Sequence, residues 1–408
     1  MGTPFMKVIL TGGGTGGHLF PALAIAESLR KRDPRVELLF LGSQRGLEAT
    51  AVPQADLPFE GLPAMPLPRR FSPRLFRAGI ADFRAVLAAR AALRRFRPDV
   101  IFATGGFASA PVLAAAWMEK TPVLLHEQNA VPGLTNRIAS RFAREVHLTF
   151  SASRRYFPRR DNLRLSGMPL REGIVGGSRN KALRLFRLEE GRTTILVFGG
   201  SQGAHHINEA ILDALPRFAN QRGIQFILQA GQKDYAWMLE RCRAIPVRTW
   251  VRPFIQNMGE AYAIADLVVC RAGALTLAEL HATGKPAILV PYPYATADHQ
   301  TQNAEGSVEA GAAVMIPDAQ LDGPALASRI LDLIEDRREL RRMSIQAMRL
   351  ARPDAADRIV RAILRYPEAA DGTEGEPEPH PRAASAERPV RRRRGGARRG
   401  GDVARQGA

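Results

Sequence analysis

Two cysteines, Cys242 and Cys270, are all that the 408 residues contain. That number excludes a disulfide framework, and their spacing suits no metal site. A reduced, cytosolic setting is expected. Long apolar runs are missing too: none approaches the about 18 residues that would cross a bilayer. The first residues do not read as a secretory leader. Any work at a membrane is therefore expected at its surface. No Asp-x-Asp pair occurs, so the usual means of holding a metal–nucleotide diphosphate is missing. Neither metal nor cofactor is expected. Diphosphate charge would fall to helix N-termini and backbone N–H groups. Acidic residues are scarce, 40 against 58 lysines and arginines, which leaves a net charge of +18. Such an excess points to an anionic partner: nucleic acid, a phosphorylated substrate or an acidic membrane surface. No nucleic-acid recognition motif accompanies it, so no nucleic acid is expected.

Glycine is concentrated instead, in Gly12-Gly-Gly-Thr-Gly-Gly-His18. A short apolar run at residues 8–10 precedes this loop, and a helical pattern at residues 21–30 follows it. Strand, glycine loop and helix hold a phosphate, because glycine lets backbone N–H groups approach the anion. Gly12, Gly14 and Gly17 also fit a dinucleotide fingerprint. The second strand, residues 36–41, ends at Gly42-Ser43 and offers no acid for a ribose. A Walker loop is excluded because His18 follows Gly17. A tight turn without ligand is the plain alternative, against the backbone entropy of so many glycines.

Five short apolar runs in the first half each precede a helical pattern: residues 8–10, 36–41, 100–104, 123–126 and 146–148. This alternation indicates a parallel sheet with ligands beyond the carboxyl ends of its strands. Three of those ends carry the glycine loop, a second glycine turn at Gly105-Gly106, and His126-Glu-Gln-Asn129. His18 sits at a helix N-terminus, where the dipole keeps the imidazole neutral and fit to act as a base. A helix-capping His18 is the structural alternative. Glu127 is the competing base, and His126 reads as structural.

The pattern then repeats. Thr194-Ile-Leu-Val-Phe-Gly-Gly-Ser-Gln-Gly-Ala-His205 is a second strand and glycine loop, and further strands are expected at residues 226–229, 247–251, 267–270, 287–290 and 313–316. Two Rossmann-like halves follow, joined near Ser166-Gly-Met-Pro-Leu-Arg171. In Arg271-Ala-Gly-Ala-Leu-Thr-Leu-Ala-Glu-Leu280, Thr276 can offer a hydroxyl to a phosphate. Glu279 lies one turn on, on the same face, and could accept hydrogen bonds from two ribose hydroxyls. A solvated helix acid is the plain alternative.

Residues 63–98 mix large apolar residues with Arg69, Arg70, Arg74, Arg77, Arg84, Arg90, Arg94 and Arg95. An apolar patch ringed by arginine suits an anionic membrane interface. On the residues alone, an ordinary amphipathic helix with its apolar face in the core takes precedence. Residues 367–408, rich in Pro and Glu and then in Arg and Gly, cannot bury a core and are expected to be disordered.

The motifs Gly12-Gly-Gly-Thr-Gly-Gly-His18, His126-Glu-Gln-Asn129, Gly199-Gly-Ser-Gln-Gly203, Gly273-Ala-Leu-Thr276 with Glu279, and Asp298-His-Gln300 stand in the order and spacing of the MurG family. The chain resembles these peripheral membrane glycosyltransferases of peptidoglycan synthesis from about Met6 to Arg365. The resemblance implies an α/β protein of two Rossmann-like domains in the GT-B arrangement, with a deep cleft between them. It implies inverting transfer of GlcNAc from UDP-GlcNAc to the 4-hydroxyl of undecaprenyl-diphosphate-MurNAc-pentapeptide, lipid I to lipid II, on the cytoplasmic face of the membrane. The catalytic candidates remain His18, by preference, and Glu127 as the competing base. Thr15, Gly16, Gly17 and Asn129 line the cleft from the first domain. Ser201 and Thr276, with the backbone of Ala274 and Leu275, face the diphosphate, Glu279 holds the ribose, the Ile255 backbone the uracil, and Gln300 the sugar with His299 beside it; Leu277 and Ala278 count among the substrate-binding residues. Arg171 matches the arginine after the domain join, where Met168 replaces the family's usual asparagine. It also favours the membrane reading of the arginine-ringed patch. The implied domains are residues 1–167 and 168–350, with a helix in 351–366 packing back on the first. A different GT-B transferase or a UDP-sugar epimerase on the same scaffold is the nearest rival.

Overall fold

The computed structural model describes residues 5–66, 73–200 and 202–366. Ser201, Arg69, Arg70, the side chains of Arg74 and Arg77, and the tail 367–408 lie outside the described residues. Seven strands form the first sheet: β1 (Lys7–Thr11), β2 (Glu37–Ser43), β3 (Phe59–Leu62), β4 (Val100–Ala103), β5 (Val123–Glu127), β6 (Glu145–Leu148) and β7 (Leu163–Leu165). Six form the second: β8 (Thr193–Phe198), β9 (Ile224–Gln229), β10 (Arg248–Arg252), β11 (Leu267–Cys270), β12 (Ala287–Leu289) and β13 (Ala313–Met315). Neighbours pair in parallel, with Val8 between Leu38 and Val100. Helices cover both faces, which is why the central strands read as unbroken apolar runs. The architecture is two Rossmann-like domains in a GT-B arrangement.

Strand order is β3-β2-β1-β4-β5-β6-β7 in the first sheet and β10-β9-β8-β11-β12-β13 in the second. The order reverses between β1 and β4 and between β8 and β11. Such switch points open crevices at the strands' carboxyl ends. The glycine loops after β1 and β8 lie there, as do the turns after β4 and β11. The edge strands β3 and β7 have no counterpart in the sequence reading. Each is short, and each carries a charged residue, Glu60 or Arg164.

The helix Ala355–Leu364 packs on the helix Gly16–Arg32, burying Ile359 and Ile363 in the first domain's core. The helix Pro73–Phe96 departs from the ordinary amphipathic reading. Among its described side chains, Ala78, Ala85, Ala89, Ala92 and Leu93 are buried. Ile80, Phe83 and Leu87 point outward and are 47%, 65% and 48% exposed. Alanine forms most of the core face, so the bulky residues are free to face solvent. Among the described residues, no helix is long and apolar enough to cross a membrane.

Candidate active site

The first wall of the cleft is the loop after β1. Its shape is set by Glu48, a fully buried acid whose carboxylate accepts from the N–H groups of Gly14 and Ser43, each at 3.1 Å. The turn after β4 closes against it. At Gly106, φ is +84°, and a Cβ there would lie 2.3 Å from the carbonyl oxygen of Gly13. Only glycine fits. Thr15 precedes the helix Gly16–Arg32 without capping it. Among the described residues, the N–H groups of Gly16 and Gly17 have no backbone partner. His18 is half-buried, with Nδ1 at 2.9 Å from both the Thr104 carbonyl oxygen and Gln128 Oε1. No partner of its Nε2 occurs among the described residues.

The second wall is the helix Ala274–Thr283, which opens at Gly273 after β11. The N–H groups of Ala274, Leu275 and Thr276 precede its first intrahelical bond, from Leu277 to Gly273. Three donors and a positive dipole end therefore face outward. Glu279 is held by the buried Tyr262, whose hydroxyl donates to Oε2 at 2.8 Å. The Ile255 N–H is engaged by Gln229 Oε1 at 2.9 Å, so the residue has its carbonyl left to offer. Gln300 Oε1 accepts from the Tyr292 N–H at 3.0 Å, which leaves its Nε2 for a ligand. His299 Nδ1 lies 2.8 Å from the Thr296 carbonyl oxygen.

The walls touch through Asn303. It is fully buried, accepts from the Ala130 N–H at 2.8 Å, and donates to Asn129 Oδ1 at 3.2 Å and to the Ala272 carbonyl at 3.3 Å. Arg171 stacks its guanidinium 4.5 Å from the ring centre of Phe20. No carboxylate pairs with it among the described residues, so its charge is free for an anion.

The N-terminal domain of glycosyltransferase family 28 matches residues 8–148, and its C-terminal domain matches residues 194–359. The chain belongs to glycosyltransferase family 28. A relative from Desulforamulus reducens is 42% identical, covering 88% of this chain and 98% of its own. One from Chlorobium limicola is 43% identical, covering 88% and 99%. Both are named UDP-N-acetylglucosamine–N-acetylmuramyl-(pentapeptide) pyrophosphoryl-undecaprenol N-acetylglucosamine transferase. Among solved structures, MurG of Acinetobacter baumannii superposes with a TM-score of 0.70 at 29% identity, over 88% of this chain and 99% of that one. A putative UDP-N-acetylglucosamine 2-epimerase of Listeria monocytogenes, 13% identical with a TM-score of 0.66 over 90% and 98%, shares the fold.

Three of the expected site residues have side chains that do not face the open cleft of this family 28 scaffold. Glu127 is fully buried, and its oxygens accept from the N–H groups of Asn129 and Gly133 and from Asn136 Nδ2. It clamps its own loop. Leu277 turns its side chain into the core of the second domain. Ala278 lines a cavity of about 470 Å³ with His281 and linker residues Gly167 and Met168, on the hinge side. Glu48, Tyr262 and Asn303 carry structural duties that the sequence did not single out.

Burial also sets the charge states. It pushes the Glu279 carboxyl up to about 7, against the lowering effects of the Tyr262 hydroxyl and the Arg171 charge. It pushes Glu127 up to about 7 as well. It lowers His18, in spite of the hydrogen bonds to Thr104 and Gln128. A neutral imidazole at neutral pH is the form a general base needs.

Proposed function

We propose that this chain moves GlcNAc from UDP-GlcNAc to the 4-hydroxyl of undecaprenyl-diphosphate-MurNAc-pentapeptide, with inversion. The observation that carries the reading is the pair of unsatisfied helix N-termini at the two switch points, one in each domain, with His18 beside the first. The names of relatives more than 40% identical over almost their whole length point to the same substrates.

In this reading UDP lies on the second domain. The Ile255 carbonyl accepts from the uracil, Glu279 from the ribose hydroxyls, and Gln300 donates to the sugar. His299 is a second contact there, and Ser201 a further diphosphate ligand. Thr15, Gly16, Gly17 and Asn129 receive the acceptor. His18 Nε2 takes the proton of the acceptor hydroxyl as its oxygen bonds to the anomeric carbon. The bond from that carbon to the diphosphate breaks, and UDP leaves. The N–H groups of Ala274, Leu275 and Thr276, with Arg171, meet the charge that grows on the leaving phosphate. One displacement inverts the centre. The domains divide near residue 167, and residues 351–366 return to the first.

The acceptor is anchored in a bilayer, so the enzyme works as a peripheral protein at the cytoplasmic face of the membrane. Ile80, Phe83 and Leu87, with Arg84 beside them, supply an apolar face and a charge for an anionic surface. The test is UDP release by the full chain, given UDP-GlcNAc and a short-chain lipid I analogue, with EDTA present. Release that requires the acceptor is expected. Release without acceptor, or epimerised sugar, overturns the reading. Activity that needs added magnesium overturns the metal-free account of the leaving group.

A further inference from the structure

A chain of hydrogen bonds leads away from His18 to the interdomain linker. Gln128 Nε2 lies 2.9 Å from the Thr104 carbonyl oxygen, 3.1 Å from the His126 carbonyl oxygen and 3.0 Å from His126 Nδ1. Two carbonyl oxygens on that side fix the amide orientation, because Oε1 placed there would face two acceptors. Oε1 therefore faces His18 Nδ1 at 2.9 Å. The Thr104 carbonyl is the other neighbour of that nitrogen. Both neighbours accept, so Nδ1 carries the proton and Nε2 keeps a bare lone pair. The far end agrees. His126 Nε2 lies 2.9 Å from the Gly167 carbonyl oxygen and must donate to it. Its Nδ1 is then the acceptor that Gln128 requires.

Gly167 sits in the linker between the sheets, with φ of +92°. A Cβ there would meet Arg352 Cβ at 2.6 Å. Both passages of the chain between the domains, outward at Gly167 and back at Arg352, thus meet at the anchor of the relay. Gln128 and His126 are fully or almost fully buried, so water does not compete for these bonds.

We propose that Gln128 and His126 are positioning residues that hold His18 in the Nδ1–H form, with the linker carbonyl of Gly167 as the fixed end. The inference rests on the reading of His18 as the base, but its test does not. Free imidazole favours the opposite tautomer, with the proton on Nε2, which could not accept a proton at that atom. The other charged or titratable groups that act on His18 are Glu48 and His299. Neither contacts Nδ1.

The experiment is ¹⁵N spectroscopy of the histidine side chains in the full chain at neutral pH, with His18 assigned by loss of its signals in His18→Ala. The protein has 8 histidines, few enough to resolve. Wild-type His18 is expected as Nδ1–H and His126 as Nε2–H. Gln128→Met preserves length and burial but not the bonds. It is expected to move His18 toward Nε2–H and to lower kcat about tenfold with donor KM unchanged. His126→Phe, which does not touch His18, removes one of the three acceptors around Gln128 Nε2 and leaves both backbone carbonyls, so it is expected to move the same tautomer in the same direction but less than Gln128→Met. A wild-type His18 protonated on Nε2 overturns the proposal. So does an Nδ1–H signal that persists in both variants. If the tautomers come out as expected and His18→Ala keeps full kcat, the base reading falls and the relay stands.

Discussion

The side-chain amide of Asn303, in the second domain, donates to Oδ1 of Asn129, in the first, at 3.2 Å. The same residue accepts from the Ala130 N–H and reaches the Ala272 carbonyl beside the helix that opens at Gly273. One buried amide therefore ties the loop after β5 to the loop after β11. Asn303→Ala strands the Ala130 N–H, at a cost of about 2 kcal/mol. The expected result is a larger radius of gyration in small-angle scattering and a lower kcat, with UDP affinity preserved. Unaltered scattering and kcat together would count against the tie.

His18→Ala should lower kcat by about 10²- to 10⁴-fold, the usual worth of a general base. UDP affinity should barely change, because the proposed nucleotide contacts lie on the other domain. Calorimetric titration with UDP separates the two effects. An equal loss in both would assign His18 to binding.

In the proposed role, Glu279 accepts from the ribose hydroxyls most strongly when it is ionised. Burial raises its pKa to about 7, so the carboxylate fraction grows as pH rises through that value. Donor KM should therefore fall with rising pH across the neutral range. Tyr262→Phe removes the hydroxyl that stabilises the ionised form, and the fall should move to higher pH. Glu279→Gln should abolish the pH dependence and raise donor KM. A donor KM that is flat with pH in the wild type would sink the assignment.

Phe83→Asp should weaken cosedimentation with vesicles of anionic phospholipid about tenfold or more, through lost apolar burial and added repulsion. Thermal stability should shift by about 0.5 kcal/mol or less, as for other exposed positions. A large drop in Tm would mean that Phe83 belongs to the core after all.

Much of the fold was legible because parallel strands buried on both faces leave unbroken apolar runs. Five strands of the second sheet and five of the first could be read that way, and the edge strand β10 was found from its Trp250 and Val251 although it carries Arg248 and Arg252. The two missed strands, β3 and β7, are edges, where one flank is open and charge is tolerated. The glycine loops were legible because a backbone that touches another backbone has no substitute for glycine. Glu48 was not, since an acid in a first turn reads as solvated until the fold brings the N–H of Gly14 to it. Gln128 lay inside a recognised motif, yet its duty depends on carbonyls from β4 and from the linker. Phe83 illustrates another limit. Helical periodicity shows stripes, and it cannot say whether the alanine stripe or the bulky stripe faces the sheet.

That alanine stripe has a consequence for how the protein can change. Ala78, Ala85, Ala89 and Ala92 anchor the helix Pro73–Phe96 to its domain, whereas Ile80, Phe83 and Leu87 take no part in holding it. Foldedness and stickiness are therefore written at different positions. Lineages, or protein engineers seeking a more soluble enzyme, can rewrite the outer register without unfolding the domain, and in the proposed reading what they give up is attachment to the membrane.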